Sequence, residues 1–149
     1  MKLTLSVSYG IGVLLQIQGQ AQDGPLTAAR IARGCRFPPR FLYRVLRKLV
    51  DAGLLRGTSG PGGGYALARR PQDITLLDIV RSVESGPEPT LLEPACASQR
   101  AAIEYVNDLC RRNAMHFADE LSSVSLVDLE RLEQASRRPS RARSSVKAR

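Results

Sequence analysis

Residues 38–69 read PPRFLYRVLRKLVDAGLLRGTSGPGGGYALAR, and this stretch decides the fold. Pro38 and Pro39 suit a helix entrance, because the first helical position needs no backbone donor and proline presets φ. Phe41, Leu42, Val45, Leu46, Leu49 and Val50 then recur at steps of three and four, and Gly53 closes the pattern. The opposite face carries Arg40, Tyr43, Arg44, Arg47 and Lys48, so one side can pack while the other meets phosphate and bases. Taken alone, such a face is more often a solvated one. Leu54-Leu55-Arg56 and Tyr65-Ala66-Leu67-Ala68 read as two short strands, and Gly57 to Gly64 between them forms the glycine-rich loop of a hairpin wing. Glycines permit positive φ and close backbone approach to a partner such as phosphate. The loop is no phosphate-binding P-loop, since no Gly-Lys-Ser/Thr follows, and a flexible linker is the alternative.

Working outward, Ser6 to Gln18 places Val7, Ile11, Leu14 and Leu15 at helical spacing and ends at the run Gln20 to Pro25. Thr27 is an N-cap candidate for a short helix through Arg33, stopped by Gly34 as a left-handed C-cap before the turn Gly34-Cys35-Arg36-Phe37. Beyond the wing, Ile74 to Val83 is amphipathic, with Thr75 and Asp78 spaced as a capping box and Ile79, Val80 and Val83 facing inward. A first domain, 1–84, ends there. Residues 85–97 form a loop. From Ser98 to Val124, Ile103, Val106, Cys110, Ala114, Phe117 and Leu121 make a stripe too long for so small a domain to bury. A second copy of the helix is the economical partner, which predicts a two-fold homodimer through 98–134. Ser125-Leu126-Val127-Asp128-Leu129 continues that helix or starts a short final one, and 135–149 is expected to be a basic disordered tail. The fold class is therefore mainly α: a winged helix-turn-helix with a small β-hairpin wing, plus a long dimerisation helix.

The composition bounds the function. The 149 residues are 43% hydrophobic, enough for a core without disulfides, and the formal charge is +8. Residues 137–149 hold six basic residues and no acid, while Arg30 to Arg56 holds eight basic residues against Asp51 alone. That second segment is the electrostatic footprint of a polyanion site. No apolar run reaches membrane-spanning length and no signal peptide opens the chain, so a cytoplasmic protein with no membrane contact is expected. Cys35, Cys96 and Cys110 are irregularly spaced, without a CxxC pair, and suggest neither disulfides nor a zinc site. One histidine, no HExxH and no nucleophile elbow argue against an enzyme.

The order of elements and several motifs resemble the Rrf2 family of bacterial transcriptional regulators. The resemblance is carried by Met1-Lys2-Leu3-Thr4 with Tyr9, Leu42 to Leu49, Ala52-Gly53-Leu54, Gly60-Pro61-Gly62-Gly63-Gly64-Tyr65-Ala66-Leu67-Ala68-Arg69, Ile74-Thr75, Val83-Glu84 and Ser125-Leu126-Val127-Asp128-Leu129. It implies a homodimer on double-stranded DNA, a repressor on an inverted-repeat operator, with recognition helices in successive major grooves and wings at the adjacent minor grooves or backbone. The candidate DNA-binding set is Thr27, Pro39, Arg40, Tyr43, Arg44, Arg47, Lys48, Gly62, Gly63, Gly64 and Tyr65, with Tyr43 and Arg44 near base edges and Lys48 nearer phosphate. The candidate dimerisation set is Ile103, Val106, Cys110, Phe117 and Leu121. Two departures stand out. Ser59 occupies the place where the family often has an arginine before Gly-Pro. Many members also ligate an iron–sulfur cluster with three closely spaced cysteines after Val83-Glu84, where this chain has only Cys96 and Cys110. The ligand pattern is incomplete, no cofactor is assigned, and Cys110 reads as a small buried hydrophobe. The alternatives are a redox or iron–sulfur sensor using Cys96 and Cys110, and a protein-interaction module that keeps only the fold.

Overall fold

The computed structural model describes residues 3–35, 38–84, 86 and 88–137. Helix α1 spans Leu5–Gly19, and Thr4 caps it by accepting from the Ser6 amide at 3.2 Å. It buries Val7, Val13, Leu14 and Ile17. A Cβ on Gly10 would lie 3.1 Å from Ile79, so glycine there lets a second helix come close. Helix α2 spans Ala28–Cys35, with the Thr27 hydroxyl accepting from the Arg30 amide at 3.3 Å. The expected stop at Gly34 is corrected: the helix runs through it. The reason for glycine lies across the fold, since a Cβ would fall 1.5 Å from the Gln16 amide on α1. Arg36 and Phe37, expected in the turn, lie outside the described residues.

Helix α3, Pro39–Asp51, has Pro39 at its first position and buries Leu42, Val45, Leu46 and Leu49. Each such side chain contributes about 1.5–3 kcal/mol relative to exposure. The helix stops as its glycine requires: Gly53 has φ +68°, its amide donates to Val50 O, and the Leu54 amide donates to Leu49 O, both at 2.9 Å. Phe41, expected on the packing face, is 48% exposed and meets Tyr9 edge-on at 6.2 Å. It sits in the first turn, beyond the edge of the core.

Strands β1, Leu55–Thr58, and β2, Gly64–Leu67, pair antiparallel with Leu55 opposite Leu67 and Thr58 opposite Gly64. The ladder is longer than the sequence suggested, taking in Gly57, Thr58 and Gly64. Leu26 also exchanges backbone hydrogen bonds with Tyr65, at 2.9 and 2.8 Å, which pins the wing to the start of α2.

Helix α4, Leu76–Val83, starts with the capping box, Thr75 and Asp78 each bonding the other's backbone amide. Helix α5 spans Arg100–Ser123 and α6 spans Leu126–Arg137. Ser125 and Asp128 repeat the capping-box bonds at the start of α6. The two caps lie side by side: Thr75 and Ser125 form an antiparallel bridge, with Leu76 N donating to Val124 O and Leu126 N to Ile74 O, both at 2.8 Å. Leu121 and Leu126 thereby join the core built by α1, α3 and α4. Helix α6 runs through Arg137, so the expected disordered tail does not begin at 135; residues 138–149 lie outside the described residues.

Candidate nucleic-acid interface

On α3 the buried residues leave one outward face. Arg40, Tyr43, Arg44 and Arg47, three or four positions apart, are all exposed. The Arg44 guanidinium lies 5.9 Å from the centre of the Phe41 ring, so the exposed Phe41 is a platform that orients Arg44. Reading Phe41 only as a core residue missed this. Arg47 sits 3.9 Å from Asp51, with both side chains largely in water. Such a pair stabilises by at most about 1 kcal/mol and leaves the guanidinium free to exchange partners.

Lys48 is placed differently from expectation. Its ammonium donates to the Val83 carbonyl at 2.6 Å, at the end of α4. A cation is favoured there by the unsatisfied carbonyls and the helix dipole. Lys48 therefore ties α3 to α4. The next residue, Glu84, is also held: its carboxylate accepts from the Thr4 amide at 2.8 Å and from the Thr4 hydroxyl. Arg69, after β2, donates to Ala52 O at 3.2 Å and steadies the far end of α3.

The wing continues this face. Tyr43, Arg47 and Val50 of α3 line a groove with Gly57, Thr58, Ser59, Gly64 and Tyr65 of the hairpin. At the tip, Gly62 has φ +74° and the Gly63 amide donates to Gly60 O at 3.0 Å, a turn closed so tightly that a Cβ on Gly63 would meet Thr58 O at 2.2 Å. A Cβ on Gly64 would strike Leu26 O at 2.5 Å and Thr27 N at 3.0 Å. Gly64 is thus required by the protein's own backbone. Thr27 and Pro39 are both exposed, at the first turns of α2 and α3. The structure brings Thr27, Tyr43, Arg47, Gly64 and Tyr65 to one side of the head.

The expected stripe on α5 divides. Leu121, expected at a pairing surface, is 5% exposed in the chain's own core, and Ala114 is also buried. Ile103, Cys110 and Phe117 are half-buried, whereas Val106 lies out with Tyr105, Leu109 and Met115. Asn107, which no local pattern singled out, is buried among them. Its side chain accepts from Leu92 N at 2.8 Å and donates to Leu92 O at 3.0 Å, fastening the loop to the helix.

The thiols lie on different parts of this half. Cys96 is exposed just before a 3-10 turn, and the Ser98 hydroxyl 3.0 Å from its sulfur holds the thiol below its ordinary pKa. The partner is a hydroxyl two residues away and not a cation. Cys110 faces a shallow cleft with Glu88, Asn113, His116 and Glu120. About 15 Å of helix, at 1.5 Å per residue, separates it from Arg100 at the head of α5. Cluster ligands must converge within a few ångströms, and a third cysteine is not placed beside these two in the loop. Among the described residues no three His, Cys, Asp or Glu side chains are grouped to hold a metal. The described residues of one chain therefore do not fit an iron–sulfur cluster.

No helix among the described residues is long and apolar enough to cross a membrane. The family model for Rrf2, described as an iron-dependent transcriptional regulator, matches residues 3–131. The protein rrf2 of Nitratidesulfovibrio vulgaris is 30% identical over 134 residues, covering 88% of each chain. The HTH-type transcriptional regulator IscR of Aliivibrio salmonicida is 28% identical over 129 residues, which is 87% of this chain and 77% of IscR. The solved structure of CymR, the global cysteine regulator of B. subtilis, superposes with a TM-score of 0.70 at 25% identity, over 89% of this chain and 98% of CymR. A match across residues 3–131, together with the helix-turn-helix and its wing, places the chain in the Rrf2 family of winged helix-turn-helix transcriptional regulators, DNA-binding proteins and not enzymes.

Proposed function

We propose that the chain acts in the cytoplasm as a homodimeric repressor that reads an inverted-repeat operator. The observation that carries the reading is the exposed outward face of α3, Arg40, Tyr43 and Arg44, continuous through Arg47 with the groove under the wing. Charge alone gives binding without preference, whereas side chains on a rigid helix that fits the major groove can read base edges. Arg44, set over Phe41, is the base-reading candidate, and Tyr43 stands beside it. Arg40, Arg47, Thr27 and the amide of Gly62 serve the phosphates. Dimerisation through the outward side of α5, Tyr105, Val106 and Leu109, would set two such heads about one helical turn of DNA apart, roughly 34 Å, or a multiple of it. A dimer held on such a site excludes other proteins from it, which is the simplest route to repression.

Selection from a random duplex pool tests this. The full chain is expected to enrich an inverted repeat, and Arg44→Ala to lose about tenfold or more in affinity with relaxed preference at one position per half-site, in line with a loss of 1–3 kcal/mol. Enrichment of no motif, or an Arg44→Ala protein with unchanged affinity and preference, would overturn the assignment in favour of an interaction module.

A further inference from the structure

One hydrocarbon ring stands on the basic outward face of α3. Phe41 is 48% exposed among Arg40, Tyr43 and Arg44, although its neighbour Leu42 is closed off in the core. Water does not favour that placement, and a phenyl ring has neither donor nor charge to offer a phosphate. The ring is nevertheless held. Tyr9, which packs on the core from α1, meets it edge-on with ring centres 6.2 Å apart and planes at 60°, and the Arg44 guanidinium lies 5.9 Å from its centre. Aromatic pairs favour such an edge-to-face contact, so the ring stands at a fixed place on the face. That place is the first turn of α3, the part of a recognition helix that comes nearest to base edges.

The major groove shows polar donors and acceptors at every base pair but only one apolar group, the thymine methyl. Arginine matches the two acceptors of guanine, O6 and N7. A guanidinium set against an aromatic face still presents its edge, because its N–H donors lie in its own plane. Phe41 and Arg44 are neighbours one turn apart on the helix, and the bases of one strand are stacked about 3.4 Å apart, so two side chains within reach of each other meet neighbouring bases. We propose that Phe41 reads DNA directly, its ring lying on the methyl of a thymine next to the guanine that Arg44 takes. This rests on the DNA-binding reading above and names the bases of that same site. Tyr9 is the positioning residue, fixing the ring from the α1 side without touching a base.

The test uses the full chain and the duplex enriched by selection, where the base read by Arg44 is the one whose preference Arg44→Ala relaxes. The thymine beside it is replaced by deoxyuridine, which pairs identically and lacks only the methyl group. Taking one methyl out of an apolar contact is expected to weaken binding about fourfold for each half-site substituted, while the same replacement at a thymine outside the motif changes nothing. Phe41→Ala removes a ring outside the core, so it should melt near the parent and bind the thymine and deoxyuridine duplexes equally. Tyr9→Ala should bring the ratio of the two affinities toward one, and Tyr9→Phe, which keeps the ring, should restore it. If Phe41→Ala does not fold, the parent's comparison of the two duplexes decides alone. Equal binding of both by the parent would overturn the proposal and leave Phe41 as a support for Arg44. A Phe41→Ala protein that still distinguishes them would also overturn it, by assigning the methyl to another side chain. A base other than guanine at the Arg44 position, or a guanine without a neighbouring thymine, would overturn it while the sequence-reading function stands. Enrichment of no motif would overturn that function and this proposal together.

Discussion

Helices α3 and α5 both repeat apolar residues every three or four positions, and the structure treats them in opposite ways. Helix α3 is contacted by α1, α2, α4 and β1, and Leu42, Val45, Leu46 and Leu49 are closed off inside one chain. Helix α5 is contacted by α4, chiefly along its second half, so Ala114 and Leu121 are buried while Tyr105, Val106, Leu109 and Met115 stay outside. Periodicity reports that a face is apolar. It does not report what covers it. On the function proposed above, the leftover polar face of α3 meets DNA and the leftover apolar face of α5 meets a second copy of the chain.

The strongest way to break this contrast is to charge the outward side of α5. Leu109 is 38% exposed in one chain, so Leu109→Glu should leave helical content intact. Against a second copy it buries two unpaired carboxylates, each costing on the order of 3–5 kcal/mol. Light scattering should show a dimer for the parent and a folded monomer for the variant. A folded variant that stays dimeric would place the pairing surface elsewhere.

Next in size is the core of α3. Leu46→Ala removes a side chain 1% exposed and should cost about 2–5 kcal/mol in denaturant unfolding, lowering the stability of the head itself. An effect below about 1 kcal/mol would mean that α3 is far less enclosed than its neighbours imply.

What could be read from the sequence follows the same division. The Gly53 stop, the entry at Pro39, the hairpin and the Thr75–Asp78 box join residues a few positions apart, or strands joined by a short turn, and all were legible. The helix-helix fit at Gly34, the Lys48 bond to Val83 O and the Asn107 clamp on Leu92 join residues 18, 35 and 15 positions apart. Nothing local marks such pairs. Phe41 failed for a related reason, since its period is right for the core but its place in the first turn lets it swing out beside Arg44. The thiols show the converse: Cys96 is tuned by Ser98, two residues away, yet a hydroxyl partner is a less conspicuous signal than a charge.

A smaller effect separates two cations one turn apart on α3. Lys48→Ala removes a charge-assisted bond between helices and should lower stability by about 1 kcal/mol, weakening DNA binding equally for all sequences by misplacing the helix. Arg44→Ala should leave the melting temperature nearly unchanged and alter preference instead. Lys48→Ala with unchanged stability and a reduced salt slope would return Lys48 to the phosphate role expected from its sequence position.

The smallest effect lies at the joint where the two halves meet. The Asp128 carboxylate accepts from the Ser125 hydroxyl and amide, at 2.5 and 3.0 Å, and these bonds, with Arg131 nearby, hold its pKa below the ordinary carboxylate value. A carboxyl group whose pKa is depressed by folding stabilises the folded state above its unfolded value, near 4, and that contribution is lost as pH falls through the folded value. Acid should therefore loosen the cap of α6, and with it the Thr75–Ser125 bridge to α4, before it reaches the wing. Asp128→Asn keeps an oxygen that can accept the Ser125 amide but does not titrate. Its stability should be slightly lower than the parent's at neutral pH, and the two should converge below pH 4. Hydrogen exchange of the Leu126 amide, which donates to Ile74 O across the joint, reads the event locally. Parallel acid profiles for parent and variant would show that Asp128 does not govern the joint.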